Sequence, residues 1–212
     1  PVSKDKSDAI ADIAPEALKR TIDEIRGVLA QLGITYDQWF RESKLLETGR
    51  FDEVLNFLTQ EGLIIERDGA KWFAATKLGL DEDIVVIRSG DAGPTYFGTD
   101  IAYHHHKFFE RKFDRVINVW GADHHGHVAR MNALLQAFGL DPDRLTIIIN
   151  QIVNFKNEGE SVQFSKRNDV MVTVEELIKE VGSDACRFTF LSRSPGSHME
   201  FDLALVKTQS SE

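Results

Sequence analysis

The amino-acid sequence predicts an α/β fold with a parallel sheet, accompanied by a smaller module of helices and a hairpin. An apolar run at 115–120 is followed by a helical pattern at 125–138 and by a second apolar run at 145–149. Strand, helix and strand joined by short links form the βαβ unit of a parallel sheet. Two more apolar runs flank Asp68-Gly69, a dipeptide that favours a tight hairpin turn.

Residues 1–33 are predicted to form an N-terminal helical segment. Residues 1–14 are polar, and Pro15 suits the first turn of a helix. Leucine and isoleucine then recur three or four residues apart as far as Leu32, and Gly33 favours termination. We therefore expect the helix to begin near Pro15 and to end before Gly33.

Residues 34–80 are predicted to form the helix-plus-hairpin module. A helix is expected over 49–60, with Val54, Leu55 and Leu58 facing inward. The runs 63–66 and 71–74 are expected to pair across the Asp-Gly turn.

Residues 81–212 are predicted to contain the sheet. The β-branched run 84–87 indicates a strand, and 95–109 indicates a turn followed by a helix. The chain is expected to turn at 157–160. Thr173 and Glu176 form a capping box that opens a helix, and Gly182 should end that helix and let the next one begin.

Composition places the 212-residue chain among ordinary globular proteins, with 42% hydrophobic and 28% charged residues. Its net charge of −9 argues against a broad nucleic-acid surface, which needs clustered Lys and Arg. The one cysteine, Cys186, cannot form an intrachain disulfide, so a cytoplasmic location is expected. No apolar run is long enough to cross a membrane, and the N-terminus lacks the apolar stretch of a signal peptide.

The segment 121–127, Gly-Ala-Asp-His-His-Gly-His, lies where a predicted strand meets a predicted helix. Ligands of open α/β sheets bind at the carboxyl ends of strands. Gly121 would let a ligand approach the backbone, and Asp123 could accept both hydroxyls of a ribose. His124 and His127 lie three apart and should share a face. The alternative is a polar helix cap with solvated histidines.

Phe164-Ser165-Lys166-Arg167 is a second candidate site, with two adjacent cations in a loop. A positioned lysine stabilises charge that develops on a pyrophosphate leaving group. The alternative is a solvated basic turn.

Tyr96 and Asp100 form a third candidate site, because residues four apart face the same side of a helix. A carboxylate beside a phenol can hold a guanidinium group. The following triplet, 104–106, is all histidine. Consecutive helical side chains diverge by about 100°, so three in a row cannot converge on one metal ion. We expect this triplet to lie mostly on a solvated helix face.

Taken in order, these motifs resemble those of arginyl-tRNA synthetases, which are class I aminoacyl-tRNA synthetases. The resemblance runs from residue 34 to the end of the chain and includes segments 36–43, 68–73, 113–128, 181–188 and 198–203. It implies a partial Rossmann-type parallel sheet in 81–212, the second half of the nucleotide-binding catalytic domain. It also implies that 34–80 is the insertion, or connective, module of the family.

The resemblance implies a role for each matching residue. Tyr96 and Asp100 match the pair that recognises the guanidinium of arginine. The segment that lines the ATP ribose and the amino acid is matched by Gly121, Asp123, His124 and His127. The second ATP motif, which stabilises the adenylation transition state, is matched by the catalytic candidates Ser165 and Lys166, and Phe164 is expected beside them in the ATP site. Gln163 and Phe164 depart from the lysine and methionine of the family pattern.

The implied reaction is activation of arginine by ATP, accompanied by Mg²⁺, and transfer of the arginyl group to tRNA. No tightly bound, protein-ligated metal is expected. The first ATP motif has no candidate before residue 34, and the helical anticodon-binding domain would follow residue 212. We therefore expect the chain alone to be inactive, with most tRNA contacts made by other domains. The alternative is a module that binds arginine or nucleotide without catalysis.

Two further resemblances of segment 121–127 are weaker. His124-His125-Gly126-His127 spells the first ATP motif of class I synthetases, but that motif belongs to the first strand–helix unit. Asp123-His124-His125 matches a triplet of metal-dependent phosphoesterases. Those enzymes need further aspartate clusters to hold two metals, and no such cluster lies upstream.

Overall fold

The computed structural model describes residues 6–90, 93–157, 160–162 and 173–209. Helices in these residues are α1 (Lys6–Gln31), α2 (Ser43–Glu47), α3 (Arg50–Gln60), α4 (Tyr96–His105), α5 (Val128–Ala137), α6 (Val174–Val181), α7 (Ser183–Leu191) and α8 (Leu203–Gln209). Strands are β1 (Ile64–Arg67), β2 (Ala70–Phe73), β3 (Ile84–Ile87), β4 (Val116–Gly121), β5 (Leu145–Asn150), β6 (Val153–Asn157), β7 (Glu160–Val162) and β8 (Met199–Asp202). They form two compact units, Pro1–Gln38 with Ile152–Glu212, and Trp39–Gln151. The division into segments 1–33, 34–80 and 81–212 stays a prediction.

The Trp39–Gln151 unit contains the predicted hairpin and its helix. β1 pairs antiparallel with β2, and β2 with β3. Asp68 and Gly69 both adopt positive φ values, 53° and 71°, as the tight turns of two-residue hairpins require. The inward residues of α3 are buried as predicted, at 2%, 4% and 0% exposure for Val54, Leu55 and Leu58. The hairpin prediction is confirmed.

The same unit contains the predicted βαβ element. β4 pairs in parallel with β5, in a register from Val116 opposite Leu145 to Gly121 opposite Asn150. α5 connects them and buries Met131 and Leu134 completely. The α-helix begins at residue 128, three residues later than predicted, because Ala122–His127 forms 3-10 turns first.

α4 packs so closely on β3 that one position admits only glycine. A Cβ on Gly98 would lie 2.4 Å from the carbonyl oxygen of Val86. The Thr95 hydroxyl caps the helix by accepting from the Gly98 amide. The helix continues into a π-helical turn, His106–Glu110.

The expectation that residues 104–106 form a solvated face is wrong. His104 is only 1% exposed and His106 only 8%. The His104 ring finds polar partners inside the protein, the Asp100 carbonyl and the Asn118 amide, so its burial leaves no ring nitrogen unpaired.

The other unit is built around Phe201, Leu177 and Cys186, all 1% exposed or less. β6 pairs in parallel with β8 and antiparallel with β7. The Thr173–Glu176 capping box is present in both directions, which confirms the prediction for α6. Gly182, with φ 82°, separates α6 from α7.

α1 begins earlier than the sequence indicated. It starts at Lys6, so Pro15 lies inside the helix rather than in its first turn. Proline lacks the amide hydrogen of one intrahelical bond. The residues around Pro15 are exposed, so water can satisfy the carbonyl that is left without a partner.

Candidate functional site

A cavity of about 280 Å³ opens beside α4 in the Trp39–Gln151 unit. α4 and its π turn supply five of its walls, Tyr96, Asp100, Tyr103, His104 and Lys107. These residues recur every three or four positions and therefore lie along one side of the helix. Phe40, Glu42 and Trp120 complete the lining.

Asp100 is the main charged group of the cavity. Its Oδ2 atom is buried and has no hydrogen-bond partner within the described part of the chain. Burial, with a smaller contribution from the nearby Glu42 charge, raises the pKa of the Asp100 carboxyl to about 6, against the attraction of Lys107 and His124. An unpaired buried acceptor is costly, so this carboxylate is suited to a cationic ligand with hydrogen-bond donors.

Aromatic rings form the flat walls of the cavity. Phe40 and Tyr103 stack with ring centroids 4.5 Å apart and planes 19° apart. The Lys107 ammonium lies 4.2 Å from the centroid of the Tyr103 ring. Burial lowers the pKa of Lys107 to about 8, so the side chain is mainly protonated at neutral pH.

Tyr96 connects the cavity to the turn that follows β4. Its ring centroid lies 5.9 Å from that of His124 and 6.4 Å from that of His127. Burial, Asp100 and Glu42 all raise the pKa of the Tyr96 phenol, so it stays neutral and can donate or accept a hydrogen bond. The two sequence-predicted groups, Tyr96–Asp100 and 121–127, are thus neighbours.

The 121–127 turn presents its polar side chains at the surface. The Asp123 side chain is 82% exposed. The rings of His124 and His127 lie 5.5 Å apart, which confirms that they share a face. Burial lowers the pKa of His127, and its Nδ1 atom has no partner among the described residues. A Cβ on Gly121 would lie 2.7 Å from Asp123 Oδ1, so glycine at this position leaves room for the Asp123 side chain.

Several cavity residues were missed at the level of sequence. Continuing the helical spacing from Tyr96 and Asp100 leads to Tyr103 and Lys107, so this signal was available. Phe40 and Glu42 come from a distant segment, and nothing in their local sequence indicates where they meet α4.

The predicted lysine loop lies outside the described residues. Gln163, Phe164, Ser165, Lys166 and Arg167 all fall within 163–172. Their assignment to ATP binding and catalysis therefore stays a prediction.

Across 6–90, 93–157, 160–162 and 173–209, no three His, Cys, Asp or Glu side chains are placed to share a metal ion. Among the helices of the same residues, none is both long and apolar enough to cross a membrane.

Comparison with known proteins identifies the class and then the family. The model described as "tRNA synthetases class I (R), catalytic domain" matches residues 6–189. The chain therefore belongs to the arginyl-tRNA synthetase family of class I enzymes. It is 47% identical over 201 residues to an arginine–tRNA ligase of Dehalococcoides mccartyi, covering 95% of this chain and 36% of that protein. A Moorella thermoacetica arginine–tRNA ligase is 50% identical over 92% of this chain and 35% of its own length.

Solved structures agree with this assignment. An arginyl-tRNA synthetase structure from Campylobacter jejuni superposes with a TM-score of 0.84 at 32% identity, over 93% of this chain and 42% of that chain. The Thermus thermophilus enzyme, at 19% identity, shows likeness of fold with a TM-score of 0.73 over 91% of this chain and 42% of its own. The predicted α/β class and family are confirmed, and the phosphoesterase alternative has no support. The chain spans just over a third of the length of the curated relatives.

Proposed function

We propose that this chain provides the arginine-recognition cavity and part of the ATP site of an arginine–tRNA ligase. The reaction is the ATP-dependent formation of arginyl-adenylate, followed by transfer of the arginyl group to tRNA. The observation that carries the proposal is the buried, unpartnered Asp100 Oδ2 inside an aromatic-walled cavity. Family membership gives the reaction, and the cavity gives the part of the substrate that this chain would recognise.

The charge of the cavity fits one guanidinium group. Glu42 and Asp100 bring two carboxylates, and Lys107 brings one ammonium, so the cavity lacks one positive charge. A guanidinium is planar, always charged and has five N–H donors, which can be shared between two carboxylates. Phe40 and Tyr103 add aromatic surface to the lining, and Tyr96 adds a phenol.

The ATP assignments extend from the cavity through Tyr96. In our proposal Gly121, Asp123, His124 and His127 line the ribose, with Asp123 also near the amino acid. The exposed Asp123 carboxylate and the paired histidine rings support this role. Phe164, Ser165 and Lys166 would contact the phosphates of the MgATP substrate, with Lys166 stabilising the charge of the transition state. tRNA would be bound largely by other parts of the enzyme, in the cytoplasm.

Calorimetric titration of the 212-residue chain with L-arginine at pH 7.5 tests the proposal. We expect one site in the wild type and a loss of affinity of about 10- to 100-fold in Asp100→Asn, because a charge-assisted bond contributes about 1.5–3 kcal/mol. Glu66→Gln removes an exposed carboxylate of β1 and serves as the matched control. Equal affinities in Asp100→Asn and the wild type would contradict the proposal.

A further inference from the structure

A chain of polar side chains runs behind the cavity, from the backbone of Asp100 to the ammonium of Lys107. His104 Nδ1 lies 2.8 Å from the Asp100 carbonyl oxygen. His104 Nε2 lies 2.8 Å from Asn118 Nδ2, and Lys107 Nζ lies 2.9 Å from Asn118 Oδ1. Asn118 is 5% exposed, although it sits on strand β4. An amide buried this deeply needs partners for both of its polar ends.

The direction of each hydrogen bond follows from its neighbours. The Asp100 carbonyl can only accept, so His104 Nδ1 carries the hydrogen and donates it. Burial lowers the pKa of His104 to about 4, so the ring is neutral and Nε2 is free to accept from Asn118. The Asn118 amide is therefore fixed with its nitrogen toward His104 and its oxygen toward Lys107.

Lys107 faces Asp100 without touching it. The two side chains line the same cavity and attract one another electrostatically. Within the described residues, however, no ion pair of 4.0 Å or less joins them, and Asp100 Oδ2 stays unpaired. The Lys107 ammonium is instead held between the Asn118 oxygen and the Tyr103 ring. A lysine stem has four flexible carbons, so something must keep it from the nearest buried carboxylate.

We propose that Asn118, oriented by His104, tethers the Lys107 ammonium beside Asp100 but off the carboxylate oxygens that arginine needs. Asn118 and His104 are positioning residues, because they act through Lys107. This inference rests on the proposed function, since it assigns the Asp100 oxygens to the guanidinium. The tether has two effects. It leaves Asp100 Oδ2 without a hydrogen-bond partner among the described residues, and it keeps a positive charge near a carboxylate that burial would otherwise neutralise.

Several charged and titratable groups surround Asp100, and a test of the tether must leave them unchanged. Glu42 faces Asp100 from the segment before α2, and His124 faces it from the turn after β4. Tyr96, Tyr103, His104 and Lys107 come from its own helix and π turn. Variants of Asn118 and Lys107 leave Glu42, His124 and both tyrosines in place.

The first test compares the arginine affinity of the wild type with that of two variants of the full chain at pH 7.5. In Asn118→Leu the released lysine pairs with Asp100; if that ion pair forms nine-tenths of the time, arginine affinity falls about tenfold. The double variant Asn118→Leu/Lys107→Met lacks the competing cation and should recover most of the affinity. Unchanged affinity in Asn118→Leu would overturn the proposal. So would an equal loss in the single and double variants, since that loss would come from altered structure.

The second test needs no arginine and so separates this proposal from the proposed function. The carboxyl carbon of Asp100 is titrated by NMR in ligand-free protein with labelled aspartate, and its signal is assigned with Asp100→Asn. We expect Lys107→Met to raise the pKa of Asp100 and Asn118→Leu to lower it, because the ammonium is removed in one and brought into contact in the other. A pKa unmoved by either substitution would overturn the tether even if arginine binds. The opposite pattern, a moved pKa with no arginine binding, would overturn the proposed function instead.

Asn118→Ser provides the same measurements if Asn118→Leu does not fold. Its hydroxyl can still donate to His104, but it is too short to reach Lys107. Lys107→Met also has its own signature in binding. At pH 5.5 its affinity for arginine should be lower than that of the wild type, because more of its Asp100 is protonated. At pH 8.5 the two affinities should converge, because the wild-type Lys107, with a pKa of about 8, is itself mainly neutral there. Parallel loss at both pH values would show a structural defect and contradict the tether.

Discussion

The cavity around Asp100 and the turn around Asp123 have similar chemistry but opposite surroundings. Each places an aspartate carboxylate near histidine and aromatic rings. Asp100 is enclosed by α4 and has a raised pKa, and the adjacent His104 is 1% exposed. The Asp123 side chain is 82% exposed, and the neighbouring His125 is exposed too. Burial positions the side chains around Asp100 before a ligand binds. The side chains around Asp123 are exposed, and mainly the backbone of the turn positions them.

This difference has an energetic consequence. Groups that are fixed by burial contribute to the free energy of unfolding, so changing them alters stability as well as binding. Groups that are exposed on a turn contribute little to stability, so changing them should alter binding alone. Matched substitutions in the two regions can therefore test whether burial causes this difference.

The largest expected effect concerns two glycines. Gly98→Ala places a methyl group 2.4 Å from the Val86 carbonyl oxygen, a backbone atom that cannot move aside. We expect a loss of about 3 kcal/mol in the free energy of unfolding, measured by urea denaturation. Gly126→Ala, in the exposed turn, meets nothing within 4 Å and is the control. Equal stabilities for the two variants would show that α4 is not packed tightly on β3.

The next effect concerns two histidines. His104→Ala removes a buried ring and leaves the Asn118 amide nitrogen without its acceptor. We expect a loss of about 2 kcal/mol, since an unsatisfied buried donor costs about 1–3 kcal/mol. His125→Ala, on the exposed turn, should change the unfolding free energy by less than about 0.5 kcal/mol. If His104→Ala is as stable as His125→Ala, the buried hydrogen bond between His104 and Asn118 does not contribute to the free energy of unfolding.

Ionisation of Asp100 should lower the free energy of unfolding. Its pKa is about 6 in the folded protein, above the ordinary value of 3.8, so the charged form is disfavoured by folding. The cost is absent below about pH 3.8, grows as pH rises from there to about 6, and is fully present above 6. After solvent screening, we expect Asp100→Asn to be more stable than the wild type by about 1 kcal/mol at pH 7.5. Urea titrations at pH 4 and 7.5 check this, and a benefit that is larger at pH 4 would contradict it.

The smallest expected effect is at Asp123. Asp123→Ala removes an exposed side chain that lies 3.7 Å from His124 in a salt-bridge geometry. We expect the unfolding free energy to change by less than about 0.5 kcal/mol. Thermal denaturation checks this. A clear loss of stability would show that Asp123 contributes to stability as the buried cavity residues do.

Local signals explain which parts of the fold could be predicted from sequence. The Asp68-Gly69 turn, the capping box at Thr173 and the βαβ pattern of 115–149 all depend on residues close in the chain. The start of α1 was wrong because a proline can lie inside an exposed helix as well as in its first turn.

Contacts between distant segments explain what was missed in the site. Tyr96 and Asp100 were found because a helix places residues four apart together. His104 was expected in solvent. Its burial was missed because it depends on Asn118, which lies fourteen residues away on another element. Glu42 joins the cavity from a segment more than fifty residues before α4, and no local pattern encodes that approach.

Calorimetric titration of the wild-type chain with L-arginine and L-citrulline at pH 7.5 tests directly whether the Asp100 cavity recognises a cation. Citrulline has nearly the shape of arginine but carries a neutral urea group in place of the guanidinium. If the Asp100 cavity recognises a cation, arginine binds at one site and citrulline binds at least about tenfold more weakly, since charge-assisted hydrogen bonds are about twice as strong as neutral ones. Equal affinity for the two amino acids, or no binding of either, would contradict the account.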